Sequence, residues 1–150
     1  MEIRKIDGPD FWGRIPVSKI HMLDAASDAG YDVSYFVMGD EERAETPVVL
    51  ALRMEPHGVV VRHAHPCERV EFVVCGELHI GDTVLKPGDV MTASPGEMYG
   101  PHIAGPEGAV TVEIFGTFNG LTHVTYDTPD GPVEVNLDSG TKRPENVIRL

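Results

Sequence analysis

The sequence predicts an all-β protein with a single domain, built as a double-sheet sandwich or a small barrel. Its 150 residues suit one domain. It contains 16 Gly and 12 Pro, residues that end secondary-structure elements, so many short elements are expected. Between these turns lie short runs of β-branched and aromatic residues, a pattern typical of sandwiches and barrels.

The predicted elements follow one another along the chain. A short helix is expected near residues 21–30, where Gly30 can end it. The dipeptide Asn119-Gly120 predicts a two-residue hairpin between two strands, and the Gly- and Pro-rich residues 94–108 predict a loop. The predicted strands are 33–38, 47–54, 59–65, 70–75, 78–80, 83–85, 90–93, 109–118, 121–126 and 133–137.

Charge and motif content exclude several classes of function. The chain has 24 acidic residues against 12 Lys and Arg, a formal net charge of -12. Nucleic acids and anionic membranes are therefore not expected as partners, because both are bound through clustered basic residues. The chain shows no secretory signal and no membrane-length apolar run, so a cytoplasmic protein is expected. It also lacks the usual nucleotide-binding and serine-hydrolase signatures.

His63 and His65, separated by one residue in a predicted strand, are the main candidates for chemistry. Side chains two residues apart on a strand point to the same face, so both imidazoles share a face with Val59 and Val61. If these valines belong to the core, this His-x-His pair points into the barrel, which is a frequent start of a transition-metal site. The alternative is a pair of exposed histidines at the end of a strand.

The segment around the His-x-His pair resembles the cupin superfamily. The first cupin motif has the form G-x5-H-x-H-x3,4-E-x6-G, and Gly58, His63, His65 and Gly76 match it in order. The second motif, G-x5-P-x-G-x2-H-x3-N, is echoed between Leu85 and Tyr99. The resemblance covers about residues 48–118.

This resemblance implies the cupin double-stranded β-helix, also called a jelly-roll barrel, as the fold of the single domain. The barrel would occupy residues 46–137. Residues 1–45 would form an N-terminal extension that packs on the barrel or on a partner subunit, and residues 138–150 a C-terminal tail. The resemblance also implies a homodimer with a small-molecule substrate or ligand in the barrel cavity.

Two positions depart from the cupin motifs. Arg69 stands where the ligand Glu is usual, and a guanidinium does not bind cations. Glu71 shares the strand face of Arg69, so it is the better stand-in for a carboxylate ligand. Tyr99 stands where the second-motif His is usual, and His102 follows three residues later. A bulge or turn between the two would bring His102 inward.

Three versions of the site remain open. In the first, the His-x-His pair and His102 bind a divalent transition metal (Fe, Mn, Ni or Zn), with Glu71 or water as a further ligand. In the second, Tyr99 joins the pair instead of His102. In the third, no metal is bound, and Arg69 binds an anionic ligand together with the pair.

The resemblance also suggests an activity. With iron, the three-His version is similar to dioxygenases that cleave C–C bonds in dicarbonyl or aromatic compounds. Arg69 would then hold a substrate carboxylate or enolate, Tyr99 would hydrogen-bond the substrate, and Glu71 would bind or orient the metal site. The alternatives are a non-catalytic ligand-binding or sensing cupin, and a metal-free epimerase- or isomerase-like cupin. Glu97 and Glu113 are further acid/base candidates if they face the cavity.

Overall fold

A computed structural model describes residues 1–149. Short 3-10 helices occupy Val17–Lys19 and Leu137–Ser139. The helices are α1 (His21–Ala29) and α2 (Phe118–Thr122). The strands are β1 (Tyr31–Val37), β2 (Val48–Met54), β3 (Val59–Val60), β4 (His63–Ala64), β5 (Arg69–Ile80), β6 (Thr83–Leu85), β7 (Val90–Ala93), β8 (His102–Phe115), β9 (His123–Tyr126) and β10 (Val133–Asn136).

These strands form two antiparallel sheets, which confirms the all-β prediction. The larger sheet has the order β1-β2-β8-β5-β6, with β3 paired to β8 and β7 paired to β5. The smaller sheet has the order β10-β9-β4. The two longest strands, β5 and β8, run side by side, so together they form much of one wall of the interior.

The larger apolar core lies against the inner face of the larger sheet and includes Val48, Leu78 and Phe115. Strand β5 alternates as a half-buried strand should, with Arg69, Glu71 and Val73 inward. Charged residues are rarely buried unless they are paired. Two of them at inward positions of one strand therefore indicate that this region is a candidate functional site and not only part of the hydrophobic core.

Helix α1 agrees with the predicted helix. Met22 and Ala26, four residues apart, are its buried face. Gly30 ends the helix in a left-handed conformation (φ 82°), where a side chain would be strained, and its N–H donates to the Ser27 carbonyl at 3.0 Å. None of the helices in residues 1–149 combines the length and apolarity needed to cross a bilayer.

The predicted hairpin at Asn119-Gly120 is wrong, because these residues lie in α2. Thr117 caps this helix by accepting a hydrogen bond from the Gly120 N–H at 2.9 Å. Gly120 is required for packing instead of for a turn, since a Cβ there would lie 2.3 Å from the Cys67 sulfur. Strands β8 and β9, expected to pair, belong to different sheets.

Two further boundaries differ from the prediction. The predicted loop 94–108 ends at Pro101, and β8 begins at His102, which pairs with Val60 of β3. The predicted strand 59–65 is broken in two, because β3 joins the larger sheet and β4 joins the smaller one. The chain crosses between the sheets at this break, so His63 and His102 enter the interior from different sheets.

Candidate functional site

A cavity of about 530 Å³ occupies the interior between the sheets. Its polar part is lined by His63, His65, Arg69, His102 and Glu113. Its walls are mainly apolar, and residues of α1 and of the segment 140–143 line its outer part. A cavity of this size, with an apolar wall and a few converging polar groups, suits a small organic molecule.

Both members of the His-x-His pair are buried and line this cavity, although the predicted continuous strand 59–65 is broken between β3 and β4. Their ring centroids lie 5.2 Å apart. The Nδ1 of His63 is 2.7 Å from the Val61 carbonyl oxygen, and the Nδ1 of His65 is 2.9 Å from the Gly120 carbonyl oxygen. A carbonyl can only accept, so each Nδ1 carries the hydrogen and each Nε2 keeps a free lone pair.

Burial keeps both imidazoles uncharged. It lowers the pKa of His63 to about 3, despite the opposing hydrogen bond to the Val61 carbonyl. It also lowers the pKa of His65 well below its ordinary value, and the nearby His63 contributes in the same direction. Two neutral imidazoles with free Nε2 atoms therefore act as hydrogen-bond acceptors or metal donors at neutral pH.

Tyr99 lies directly beside the pair. Its backbone exchanges two hydrogen bonds with that of His63, at 3.0 and 3.1 Å, and the two rings are 4.6 Å apart. Burial raises the pKa of Tyr99 well above 10, so the phenol stays protonated. Its hydroxyl is buried with no hydrogen-bond partner in the described chain. Tyr99 is not among the described residues that line the cavity.

His102 faces the interior. This agrees with the prediction that a bulge or turn between Tyr99 and His102 would bring His102 inward. Gly100, at a φ of 87°, precedes it and allows the sharp change of direction. The Nδ1 of His102 is 3.6 Å from Glu71 Oε2, and its Nε2 is buried without a partner among the described residues. Its ring is 5.6 Å from that of Tyr99. Burial, helped by the charge of Arg69, lowers the pKa of His102 to about 3.

Arg69 forms a buried ion cluster with two carboxylates. Its Nε donates to Glu113 Oε2 at 2.7 Å, and its Nη2 donates to Glu71. Its guanidinium carbon lies 4.3 Å from the centre of the Tyr99 ring, a cation–π distance. Its Nη1 is buried with no partner in the described chain. Glu71 and Glu113 face each other across β5 and β8, which places both within reach of the guanidinium.

The charge of this cluster is nearly balanced. Burial raises the pKa of Glu113 to about 7, although Arg69 opposes the shift. Glu113 is therefore partly protonated at neutral pH. Because Arg69 already has two carboxylate partners, little of its positive charge remains to attract an anion. This weakens the predicted role of Arg69 in holding a substrate carboxylate.

The three histidines share one cavity but are not arranged as a ready metal site. In residues 1–149, no group of three or more His, Cys, Asp or Glu side chains is placed to hold a metal ion. As placed, these residues do not fit a three-His centre. The metal site stays a prediction.

Two of the charged residues that line the cavity, Glu113 and Arg143, were not clearly predicted from the sequence. Glu113 was named only conditionally, yet the alternation of Thr111, Glu113 and Phe115 along β8 would have placed it inward with its neighbours. Arg143 lines the cavity from the predicted tail, where no periodic pattern marks it. Cys67, by contrast, is a buried free thiol packed against α2.

Comparison with solved structures identifies the fold. The acetylacetone dioxygenase of Acinetobacter johnsonii aligns over 93% of this chain and 89% of its own, with a TM-score of 0.56 and 12% identity. An RmlC-like cupin protein of Ralstonia eutropha aligns over 73% of this chain and 69% of its own, with a TM-score of 0.54 and 16% identity. The chain has the cupin fold. No protein-family model and no curated protein matches this chain.

Proposed function

We propose that this cupin binds a small organic molecule in its barrel, with an oxygen-bearing end against His63, His65 and Arg69. The observation that carries the proposal is a set of buried polar atoms without partners at one end of an apolar cavity. His102 Nε2 and Arg69 Nη1 are both of this kind among the described residues. A buried polar atom without a partner costs about 1–3 kcal/mol, which a bound molecule or water would relieve.

The chemistry of these atoms narrows the class of molecule. The Nε2 atoms of His63 and His65 are acceptors, so they suit a hydroxyl or an enol. The free N–H of Arg69 is a donor, so it suits a carbonyl oxygen. The apolar wall, which includes Leu50 and Leu52, suits a hydrocarbon body. A hydroxyketone, or a diketone in its enol form, combines all of these features.

The site also suits proton transfer on such a molecule. Glu113 lines the cavity, and a carboxyl with a pKa near 7 is both partly ionised and a useful base at neutral pH. In this proposal Glu113 accepts a proton from the carbon beside the carbonyl of the bound molecule and returns it to carbon, while the free Nη1–H of Arg69 donates a hydrogen bond to the carbonyl oxygen. This is a form of the metal-free epimerase- or isomerase-like alternative, with Glu113 as the base in place of a histidine.

Calorimetric titration with hydroxyacetone and acetylacetone tests the binding proposal. We expect at least one of them to bind the native protein, and His65→Ala to weaken that binding about tenfold or more. His79→Ala is the matched control, because His79 lies on β5 outside the cavity lining. Equal binding by the two variants, or no binding of either compound by the native protein, would contradict the proposal.

A divalent metal held by the His-x-His pair is the second candidate function. It is favoured by the two Nδ1–carbonyl hydrogen bonds, because metal-binding histidines usually donate the other ring N–H in this way. Metal content after reconstitution with Fe(II), Mn, Ni or Zn is the measurement. Loss of metal in His63→Ala and His102→Ala, but not in His79→Ala, would support the three-His site. Loss in His63→Ala alone would support the pair without His102, and metal-free native protein would exclude this candidate.

A further inference from the structure

Among the described residues, two arginines line the cavity, and their surroundings differ sharply. Arg69 is paired with two carboxylates. Arg143 is half-buried and takes part in none of the ion pairs within residues 1–149. Its neighbour Lys142 is paired at 2.8 Å with Asp28 of α1. Within residues 1–149, Arg143 is therefore the cavity-lining arginine that forms no ion pair, although Asp24 and Asp28 line the same cavity.

Two tyrosines, Tyr31 and Tyr126, line the cavity together with Arg143. Burial raises the pKa of each phenol to about 12, and in both cases the charge of Arg143 is the main opposing influence. The Tyr31 hydroxyl donates to the Val59 carbonyl at 2.6 Å, which fixes its position.

Tyr126 connects the outer part of the cavity, where Arg143 lies, to its polar end. The ring of Tyr126 lies 6.2 Å from that of His63, and the two residues face each other across β9 and β4. A small molecule that contacts both His63 and Arg143 would therefore run past the Tyr126 ring.

The chemistry of Arg143 favours a carboxylate. Its planar fork of N–H donors matches the two oxygens of a carboxylate, and charge-assisted bonds of this kind are about twice as strong as neutral ones. The overall charge of -12 gives anions no general attraction to the protein, so an acid that enters needs a specific cation.

We propose that Arg143, beside Tyr31 and Tyr126, binds the carboxylate of a small organic acid whose other end reaches His63. This inference rests on the proposed function, because it names the ligand class of the same cavity. The ligand is then a carboxylic acid with a second oxygen group or an apolar body, bound at two points.

Calorimetric titration with matched acid and amide pairs tests this inference. The probes are acetate with acetamide, isobutyrate with isobutyramide, and benzoate with benzamide, which differ in charge but hardly in shape. We expect the native protein to bind at least one acid about tenfold or more tightly than its amide. We expect Arg143→Gln to abolish that preference without weakening amide binding, and the control Lys142→Gln to retain it.

The outcomes separate the two proposals. Equal binding of acid and amide by the native protein, or a preference that survives in Arg143→Gln, would overturn the carboxylate site and leave the proposed function intact. Failure of all six probes, together with failure of hydroxyacetone and acetylacetone, would overturn both. Amide binding by Arg143→Gln also shows that the variant is folded.

Discussion

Replacing Glu113 by Gln should change how the stability of the protein depends on pH. Glu113 is buried against Arg69, whose Nε donates to it at 2.7 Å. A Gln amide oxygen can accept the same hydrogen bond but cannot titrate. The variant therefore removes one titration from the interior and keeps most of the contact.

The magnitude follows from the pKa of Glu113, which burial raises from 4.5 to about 7. The folded protein holds the Glu113 proton more tightly than the unfolded chain does. The stabilising contribution of this proton is therefore complete below about pH 4.5. The contribution is lost as the pH rises through about 7. A shift of about 2.5 units at 1.36 kcal/mol per unit amounts to about 3 kcal/mol. Relative to Glu113→Gln, the native protein should lose about this much free energy of unfolding across that interval.

Other groups that face Glu113 must be separated from this effect. Arg69 keeps its charge, and Tyr35 and Tyr99 keep their protons, because burial raises the pKa of both phenols. Glu71 faces the same guanidinium, so Glu71→Gln should be measured in parallel. Glu134→Gln, at an exposed position on β10, is the matched control for the substitution itself.

Urea denaturation followed by circular dichroism, at several pH values from about 4.5 to 8, gives the free energies of unfolding. We expect the difference between the native protein and Glu113→Gln to vary with pH, and the difference for Glu134→Gln to stay constant. Parallel pH profiles for the native protein and Glu113→Gln would refute the argument, because Glu113 would then titrate alike in the folded and unfolded states.

Three further predictions concern the ion cluster, α2 and the outer face of the larger sheet. Arg69→Met leaves Glu71 and Glu113 buried without a cation, so it should lower the free energy of unfolding by about 3–5 kcal/mol. Urea denaturation measures this loss, and a loss below about 1 kcal/mol would contradict it. Gly120→Ala places a Cβ 2.3 Å from the Cys67 sulfur, and overpacking of this kind costs about 1–3 kcal/mol. Gly120→Ala should also shift the NMR signals of His65, because the His65 Nδ1–H donates to the Gly120 carbonyl. Unchanged His65 signals would contradict this coupling between α2 and His65. The homodimer implied by the cupin resemblance should use the exposed apolar residues Phe72 and Val90, which lie opposite each other on β5 and β7. Sedimentation equilibrium should show a dimer for the native protein and a monomer for Phe72→Lys, whereas a monomeric native protein would contradict the prediction.

Strand periodicity and motif order were enough to predict the fold and part of the site. The inward positions of His63 and His65 were predicted, but the continuous strand 59–65 on which that prediction rested is broken between β3 and β4. The alternation rule holds along the longer strands, where the backbone fixes the side-chain period. The same rule would have placed Glu113. The order of Gly58, the His-x-His pair and Gly76 in the sequence indicated the cupin fold.

Where the sequence misled, a tertiary contact overrode a local signal. Asn119-Gly120 has the composition of a hairpin turn, but the Thr117 cap and the tight contact of Gly120 with Cys67 favour a helix instead. Arg143 could not be predicted, because its place in the cavity depends on how the C-terminal segment folds back against α1 and not on any periodic pattern.

The break between β3 and β4 has a mechanical consequence for the protein. His63 belongs to the smaller sheet, whereas Arg69, His102 and Glu113 belong to the larger one. A molecule bound between them would therefore join the two sheets through its own hydrogen bonds. Its arrival should slow amide hydrogen exchange in β9 and in β5 together, since separating the sheets would then require the ligand to leave first.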